Sequence, residues 1–337
     1  MTVIAIMSSL SDTNFGLKAA NSRGTQILTD SSSGSYDSDY TSWAIFVQNS
    51  TSEPYLDLKV NKTEFWLHFD FYSTDTGSTP TNVVEFRSQS GTLQAAINLT
   101  GSFAFEVSKS TDGTSGTSLS GTSFTLSAST RHALDIHVKL GASGEVALYK
   151  DGVLSFTYTG DMTTNGDNAI RYVTFKGFDA RNRSFNVSQV IADTGSTVGF
   201  KLFTTYPINT NTFTDWSGSW VGKNNTDYNG EAAGTYANVV GHKVSFTGSS
   251  LPVASAGLSV RAVVSSARAY ASNSATPQSL ALGVRFSTTN YEGDTFYLGS
   301  GEGVKFCQHV FNQNPQTGIP WTYSQANSVA MTHTAKA

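Results

Sequence analysis

One cysteine, Cys307, occurs in 337 residues. A single thiol excludes an intramolecular disulfide framework and a cysteine-ligated zinc cage, and this residue is expected in or near a core. Charge is sparse too. Only 14% of residues are charged, 21 basic against 25 acidic for a net charge of -4, so the chain has no basic footprint for a polyanion and nucleic acid is excluded as a partner. No apolar run is long enough to span a bilayer, which excludes membrane insertion by a helix. The N-terminal MTVIAIMSSL is apolar for only a few residues and lacks a basic leader or cleavage pattern, so a first strand is expected there in place of a signal peptide. Runs of Glu or Lys are few. What is abundant is Gly (30 residues), Ser, Thr, Asn and aromatic side chains (12%), a mixture that favours short strands and tight turns. The fold class expected is all-β.

The clearest pattern lies in Arg131–Asp161. Leu134, Ile136, Val138 and Leu140 share one parity while Asp135, His137 and Lys139 share the other, which on a strand separates a core face from a second face. A turn is expected at Gly141–Gly144, then a second strand through Val146, Leu148 and Tyr149. The step Asp151-Gly152 supplies the positive φ of a tight hairpin turn, and Leu154, Phe156 and Tyr158 form a third strand. Three such strands need a second sheet to cover them.

Candidate strands for that purpose recur at the spacing of a sandwich: Trp43–Gln48, Tyr55–Val60, Glu64–Tyr72, Val83–Phe86, Leu93–Leu99, Phe103–Val107, Thr122–Ser127, Ala169–Phe178 and Ser184–Ala192. In Glu64–Tyr72 one face carries Phe65, Leu67, Phe69 and Phe71 and the other Trp66, His68 and Asp70. Thr29–Tyr40 has no periodicity and is expected to be a surface loop. A short polar hinge at Thr194–Ser196 divides the chain into a first sandwich, residues 1–195, and a smaller second one, residues 196–337. In the second, strands are expected at Phe200–Tyr206, Val239–Phe246, Leu258–Tyr270, Gln278–Ser287, Thr295–Leu298 and Val304–Phe311. A long irregular loop covers residues 209–235, and one helix falls within Trp321–Ala335, where Ala326, Val329 and Ala330 have helical spacing.

Enzyme motifs are missing. The six histidines show no HExxH or His-X-His spacing, and neither a Gly-X-Ser-X-Gly elbow nor a phosphate-cradling Gly-Lys-Ser/Thr loop occurs. Glu53 and Asp57 are the nearest acidic pair, and no third carboxylate completes a glycosidase set. The candidate binding residues are Trp216, Trp220 and Tyr228 of the irregular loop, with Trp66 and His68 on the polar face of their strand, since aromatic rings stack on sugars or on a partner chain. No cofactor is required. If Ca²⁺ binds, its candidate ligands are Asp30, Asp37, Asp39, Asp161 and Asp167, all in loops where Asp also serves turns. The sequons at Asn49, Asn61, Asn98, Asn182, Asn186 and Asn224 are read as compositional.

The order of a strand, a turn and Leu148-Tyr149-Lys150-Asp151-Gly152 resembles the laminin-G-like, concanavalin-A-like sandwich modules. Downstream, Ser184–Gly199, Trp216-Ser217-Gly218 with Trp220, the Val260–Arg285 strands and Asn314-Pro315-Gln316-Thr317-Gly318 leading to Trp321-Thr322 resemble virion structural proteins of tailed bacteriophages. In those a laminin-G-like jelly roll precedes a smaller β-domain closed by an "Asn-Pro-X-Thr-Gly-X-X-Trp-Thr" segment and a short helix. The resemblance departs at the C-terminal SQANSVAMTHTAKA. It implies a non-enzymatic tail-fibre, spike or decoration subunit, assembled in the bacterial cytoplasm, with itself (as a trimer) and other virion proteins as partners and host surface polysaccharide as a ligand. A free carbohydrate-binding module is the alternative, and a glycan-cleaving enzyme the third reading.

Overall fold

The structure, a computed structural model, describes residues 2–7, 26–28, 44–47, 54–74, 81–100, 102–164, 166–177, 184–205, 207–218, 236–251, 258–274, 277–300, 302 and 305–337. Two compact units make up the chain, divided between Leu202 and Phe203. The loop expected at Thr29–Tyr40 lies outside the described residues.

The first unit contains β1 (Val3–Met7), β2 (Gln26–Leu28), β3 (Ala44–Val47), β4 (Tyr55–Lys62), β5 (Glu64–Tyr72), β6 (Thr81–Arg87), β7 (Leu93–Leu99), β8 (Ala104–Lys109), β9 (Thr117–Thr125), β10 (His132–Lys139), β11 (Gly141–Lys150), β12 (Val153–Met162), β13 (Ile170–Phe175) and β14 (Phe185–Asp193). They form an antiparallel sandwich. An eight-stranded sheet runs β12-β11-β10-β5-β14-β3-β2 with β1 also on β14, and a six-stranded sheet runs β4-β13-β6-β7-β8-β9. The period-two apolar residues of β5 and β10 drive this arrangement. Phe65, Phe69 and Phe71 reach across to Phe86, Phe175 and Phe105 of the other sheet at ring separations of 6.0, 5.5 and 5.2 Å. Leu134, Ile136 and Val138 join the same core. Full burial of each such side chain contributes roughly 1.5–3 kcal/mol. Residues 194–202 stay with this unit: Thr197 donates to Asp135, and the Leu202 amide donates to the Gln189 side chain.

The second unit contains β15 (Pro207–Thr214), β16 (Lys243–Gly248), β17 (Val263–Ala269), β18 (Ser279–Phe286), β19 (Thr289–Tyr297), β20 (Lys305–Phe311), α1 (Tyr323–Ser328) and β21 (Ala330–Lys336). A five-stranded sheet, β15-β16-β21-β18-β19, is accompanied by a two-stranded antiparallel sheet, β17-β20. Val263 and Phe311 of the two-stranded sheet pack with Val284, Trp321 and Val329. Cys307 is buried in a second cluster with Leu280, Leu282 and Leu298, a core cysteine as expected. Asn314, Gly318, Trp321 and Thr322 of the Asn314–Thr322 segment have structural tasks. Asn314 accepts the amides of Thr317 and Gly318, Gly318 adopts φ +69°, Trp321 is buried with its Nε1–H on the Phe311 carbonyl, and Thr322 caps α1 in a capping box with Gln325.

Five expectations are corrected. Gly141–Gly144 is no turn but the start of β11, which follows β10 after Leu140 alone; Gly141 takes φ +117° and a bulge separates it from Gly144. Leu154 is exposed, because a register shift at Leu148/Tyr149 takes it off the face that buries Phe156. Residues 200–205 form no strand, since Phe200 closes a turn onto Thr197 and Leu202 is tied to Gln189. The strand comes next, as β15, inside the stretch expected to be irregular; as an edge strand of Asn and Thr it has no apolar alternation to betray it. Last, the helix stops at Ser328. Val329 is extended, and Ala330–Lys336 forms the central strand between β16 and β18, where Thr332 and Thr334 suit a sheet better than a helix.

Candidate functional site

The face of β5 turned away from the core carries Trp66, His68 and Asp70, and that of β10 carries His137, Asp135 and Ala133. Antiparallel register sets these directly opposite one another: Trp66 with His137, His68 with Asp135, Asp70 with Ala133. The first pair makes an aromatic platform. Trp66 stacks on His137 at 4.7 Å and 17°, and the half-buried Tyr149 of β11 stands 5.6 Å from Trp66. Carboxylates fix the imidazole beneath: His137 Nε2 is 3.0 Å from Glu64 and Nδ1 is 3.3 Å from Glu145.

The second and third pairs are buried and polar. His68 Nδ1 hydrogen-bonds Asp135 Oδ1 at 2.9 Å, and the same oxygen accepts the Thr197 hydroxyl at 2.8 Å. His68 Nε2 lies 3.9 Å from Asp70 Oδ1. Asp70 Oδ2 accepts Gln189 Nε2 at 2.8 Å and has Arg131 Nε at 3.7 Å. A bulge in β14 makes this possible, since two residues, Gln189 and Val190, fall opposite Phe69 alone. Gln189 takes φ +54° and turns to the polar face, while Val190 enters the core. Strained backbone of this kind is kept where the surroundings enforce it, often beside a site.

These groups line a recess of about 330 Å³, walled by His68, Asp70, Arg131, Asp135, Asp151 and Lys201. At its rim Asp151 and Gly152 form the tight turn from β11 to β12, with φ +52° and +81°. A half-exposed aromatic platform beside a polar recess can stack the apolar face of a sugar ring and hydrogen-bond its polar edge.

Of the residues singled out in the sequence, Trp66 and His68 are brought together on this face. Trp216 belongs to the second unit, half-buried, with its Nε1–H on the His242 carbonyl at 3.1 Å and its ring against the cluster around Leu280 and Leu282. Packing explains that tryptophan. Trp220, Tyr228, Asp30, Asp37 and Asp39 lie outside the described residues. Asp161 is exposed, accepts the Thr163 amide and lies 3.4 Å from Lys109; the Thr163 hydrogen bonds hold its carboxyl below the usual carboxylate range. Asp167 accepts a hydrogen bond from Ser90. Among the described residues no three His, Cys, Asp or Glu side chains converge as a metal would require. Asp57 is ion-paired with Arg171, and Glu53 lies outside the described residues. Sequence parity put Asp70 and Asp135 on the right face, but nothing in it could point to Gln189, Thr197 or Lys201, which arrive through the bulge and the 194–202 segment.

By fold the chain is a pair of antiparallel β-sandwich units. No protein-family model matches it, and no curated protein sequence is similar to it. Among solved structures it is similar to an endo-β-1,4-glucuronan lyase from the fungus Trichoderma reesei, at 12% identity and a TM-score of 0.42 over 53% of this chain and 90% of that one. It is also similar to the binding domain of Paraclostridial Mosquitocidal Protein 1, at 11% identity and 0.41 over 58% of this chain and 49% of that one. A third match is the cellulose-induced protein Cip1, at 10% and 0.40 over 54% of this chain and 92% of that one. Likenesses of this degree say nothing of ligand or chemistry. Among the described residues no helix is long and apolar enough to cross a membrane.

Proposed function

We propose that this protein is a non-enzymatic structural and adhesive subunit of a bacteriophage virion, in a tail fibre, spike or head decoration, whose first unit binds a host-surface glycan on the outer face of its eight-stranded sheet. The observation that carries the binding half of this reading is the platform of Trp66, His137 and Tyr149 beside the recess at His68. Its aromatic and hydrogen-bonding groups are rigidly held, which limits the ordering cost of binding. The virion half is supported by the sequence resemblance of Ser184–Gly199 and Asn314–Thr322 to phage structural proteins. Repetition on a particle makes a homo-oligomer, a trimer first, the expected assembly.

Antibody-gold labelling of intact particles tests the placement. Gold on tail or capsid is the expected result, and its position separates fibre or spike from decoration. Unlabelled particles would overturn the virion reading and leave a free carbohydrate-binding module in its place. Incubation with the polysaccharide it binds should release no oligosaccharide; released fragments would contradict the non-enzymatic assignment.

A further inference from the structure

The second unit holds a positive charge that no acid in it balances. In β18 the side chains of Leu280, Leu282 and Val284 enter the cores, which turns Arg285 to the opposite face of the five-stranded sheet. The floor of that face is low, since Gly283 stands opposite Thr332 and Thr332 opposite Ser245, all three buried. Phe213 reaches it because the β15 register shifts between Thr210 and Thr214, and its amide donates to the Ser245 hydroxyl at 3.0 Å. Two cations meet its ring. Arg285 Cζ lies 5.6 Å from the ring centre and Lys243 Nζ 5.5 Å.

Arg285 is only 6% exposed. Its hydrogen bonds leave from Nη1, to the Thr212 hydroxyl at 2.8 Å and to the Ser287 carbonyl, and both acceptors are neutral. Nε has no acceptor among the described residues. The carboxylates nearby serve other groups: Glu292 takes Lys336 Nζ at 2.6 Å, and Asp215 accepts the Lys243 amide at 3.0 Å. Burial therefore acts on the guanidinium with no acid to offset it, and pushes its pKa below the ordinary arginine range. Half-buried Lys243 touches the Phe213 ring and among the described residues acts on Glu292 only at a distance. A charge taken out of water without a counter-charge destabilises the fold, and an arriving anion relieves that cost. The Nε side of a guanidinium is one of its two edges that can hold a pair of oxygens.

We propose that Arg285, with Lys243 on the same Phe213 ring, forms an oxyanion-binding site of the second unit, taking a carboxylate, sulfate or phosphate group on its Nε side. The site is independent of the glycan face of the first unit.

Nuclear magnetic resonance on the full chain tests it, following the Arg285 Nε–H resonance assigned through its own backbone. Acetate, sulfate and inorganic phosphate are titrated against chloride at matched ionic strength, and alginate serves as a polymer-borne carboxylate. At least one free oxyanion should move the resonance saturably in the millimolar range, while chloride should leave it in place. Lys243→Met should weaken that binding about threefold. Arg285→Lys, read from the Phe213 amide, keeps the charge but loses the fork and should weaken it about tenfold. Melting curves identify any variant that fails to fold, and Lys243→Met keeps the test decisive if Arg285→Lys does not. Alginate binding more tightly per carboxylate than acetate upholds the site with an acidic polymer as its source, and equal affinities uphold it with a free anion. An unmoved resonance, or the same movement with chloride, overturns the proposal, as does unchanged binding by folded Lys243→Met and Arg285→Lys proteins.

Discussion

His68 and His333 occupy matching places. Each lies in a central strand of the main sheet of its unit, β5 between β10 and β14, β21 between β16 and β18, and each is almost fully buried. Their surroundings are opposite. His68 is framed by Asp135, Asp70 and, through them, Thr197, Gln189 and Arg131. His333 lies between the rings of Phe246 at 5.2 Å and Trp216 at 6.4 Å, and burial pushes its pKa down to about 4. The same residue type therefore serves in one unit as part of a polar, hydrogen-bonded frame beside a recess and in the other as a ring packed between aromatic side chains. Burial of a titratable side chain marks a site only when the fold also supplies it with oriented polar partners beside an opening.

The sharpest way to widen this contrast is acid. The folded pKa of His333 lies below the ordinary value of 6.5, so between about pH 6.5 and 4 the unfolded state holds a proton that the folded state does not. Stability of the second unit should therefore fall as pH drops through that window, by on the order of 3 kcal/mol, and level off below it. Urea unfolding followed across the window by a probe in this unit should show the loss, and His333→Phe should flatten it. The first unit can be broken at Asp135. Asp135→Ala leaves the His68 Nδ1–H and the Thr197 hydroxyl without their shared acceptor, and should cost about 2–3 kcal/mol in chemical denaturation. Asp135→Asn keeps an acceptor and should cost about half as much. Gln189→Ala removes the donor to Asp70 and the acceptor of the Leu202 amide while retaining the positive φ, for an expected loss of about 1–2 kcal/mol. Smallest of all, Val153→Ser at the exposed start of β12 should change stability by less than about 0.5 kcal/mol.

Much of the first unit was legible from its period-two residues. Glu64–Tyr72 and Leu93–Leu99 are strands at the bounds that their alternation and turn signals gave, and Trp66 and His68 share the polar face that parity assigned. The elements that escaped did so for physical reasons. β15 is mostly Asn and Thr, has no apolar alternation and is held by one neighbour only, while β21 begins in a stretch where Ala326, Val329 and Ala330 have helical spacing. Parity also breaks in β14: Phe185 and Val187 face the core before the bulge, Val190 and Ala192 after it. A reader of sequence alone would assign Gln189 to the core face. The site was half legible on the same grounds, since Trp66, His68, Asp70 and Asp135 follow from local periodicity, whereas Gln189, Thr197 and Lys201 join through contacts more than sixty residues distant or through irregular chain.

The claim that binding resides on the outer face of the eight-stranded sheet is tested most directly by a pair of variants on the same strand, β5, with opposite facing. Trp66→Ala and Phe71→Leu should be compared with the unaltered chain for melting temperature and for binding to the purified surface polysaccharide of the host. Trp66→Ala should stay folded and bind far more weakly, while Phe71→Leu should have a lower melting temperature and bind as before. Undiminished binding by a folded Trp66→Ala protein would contradict it.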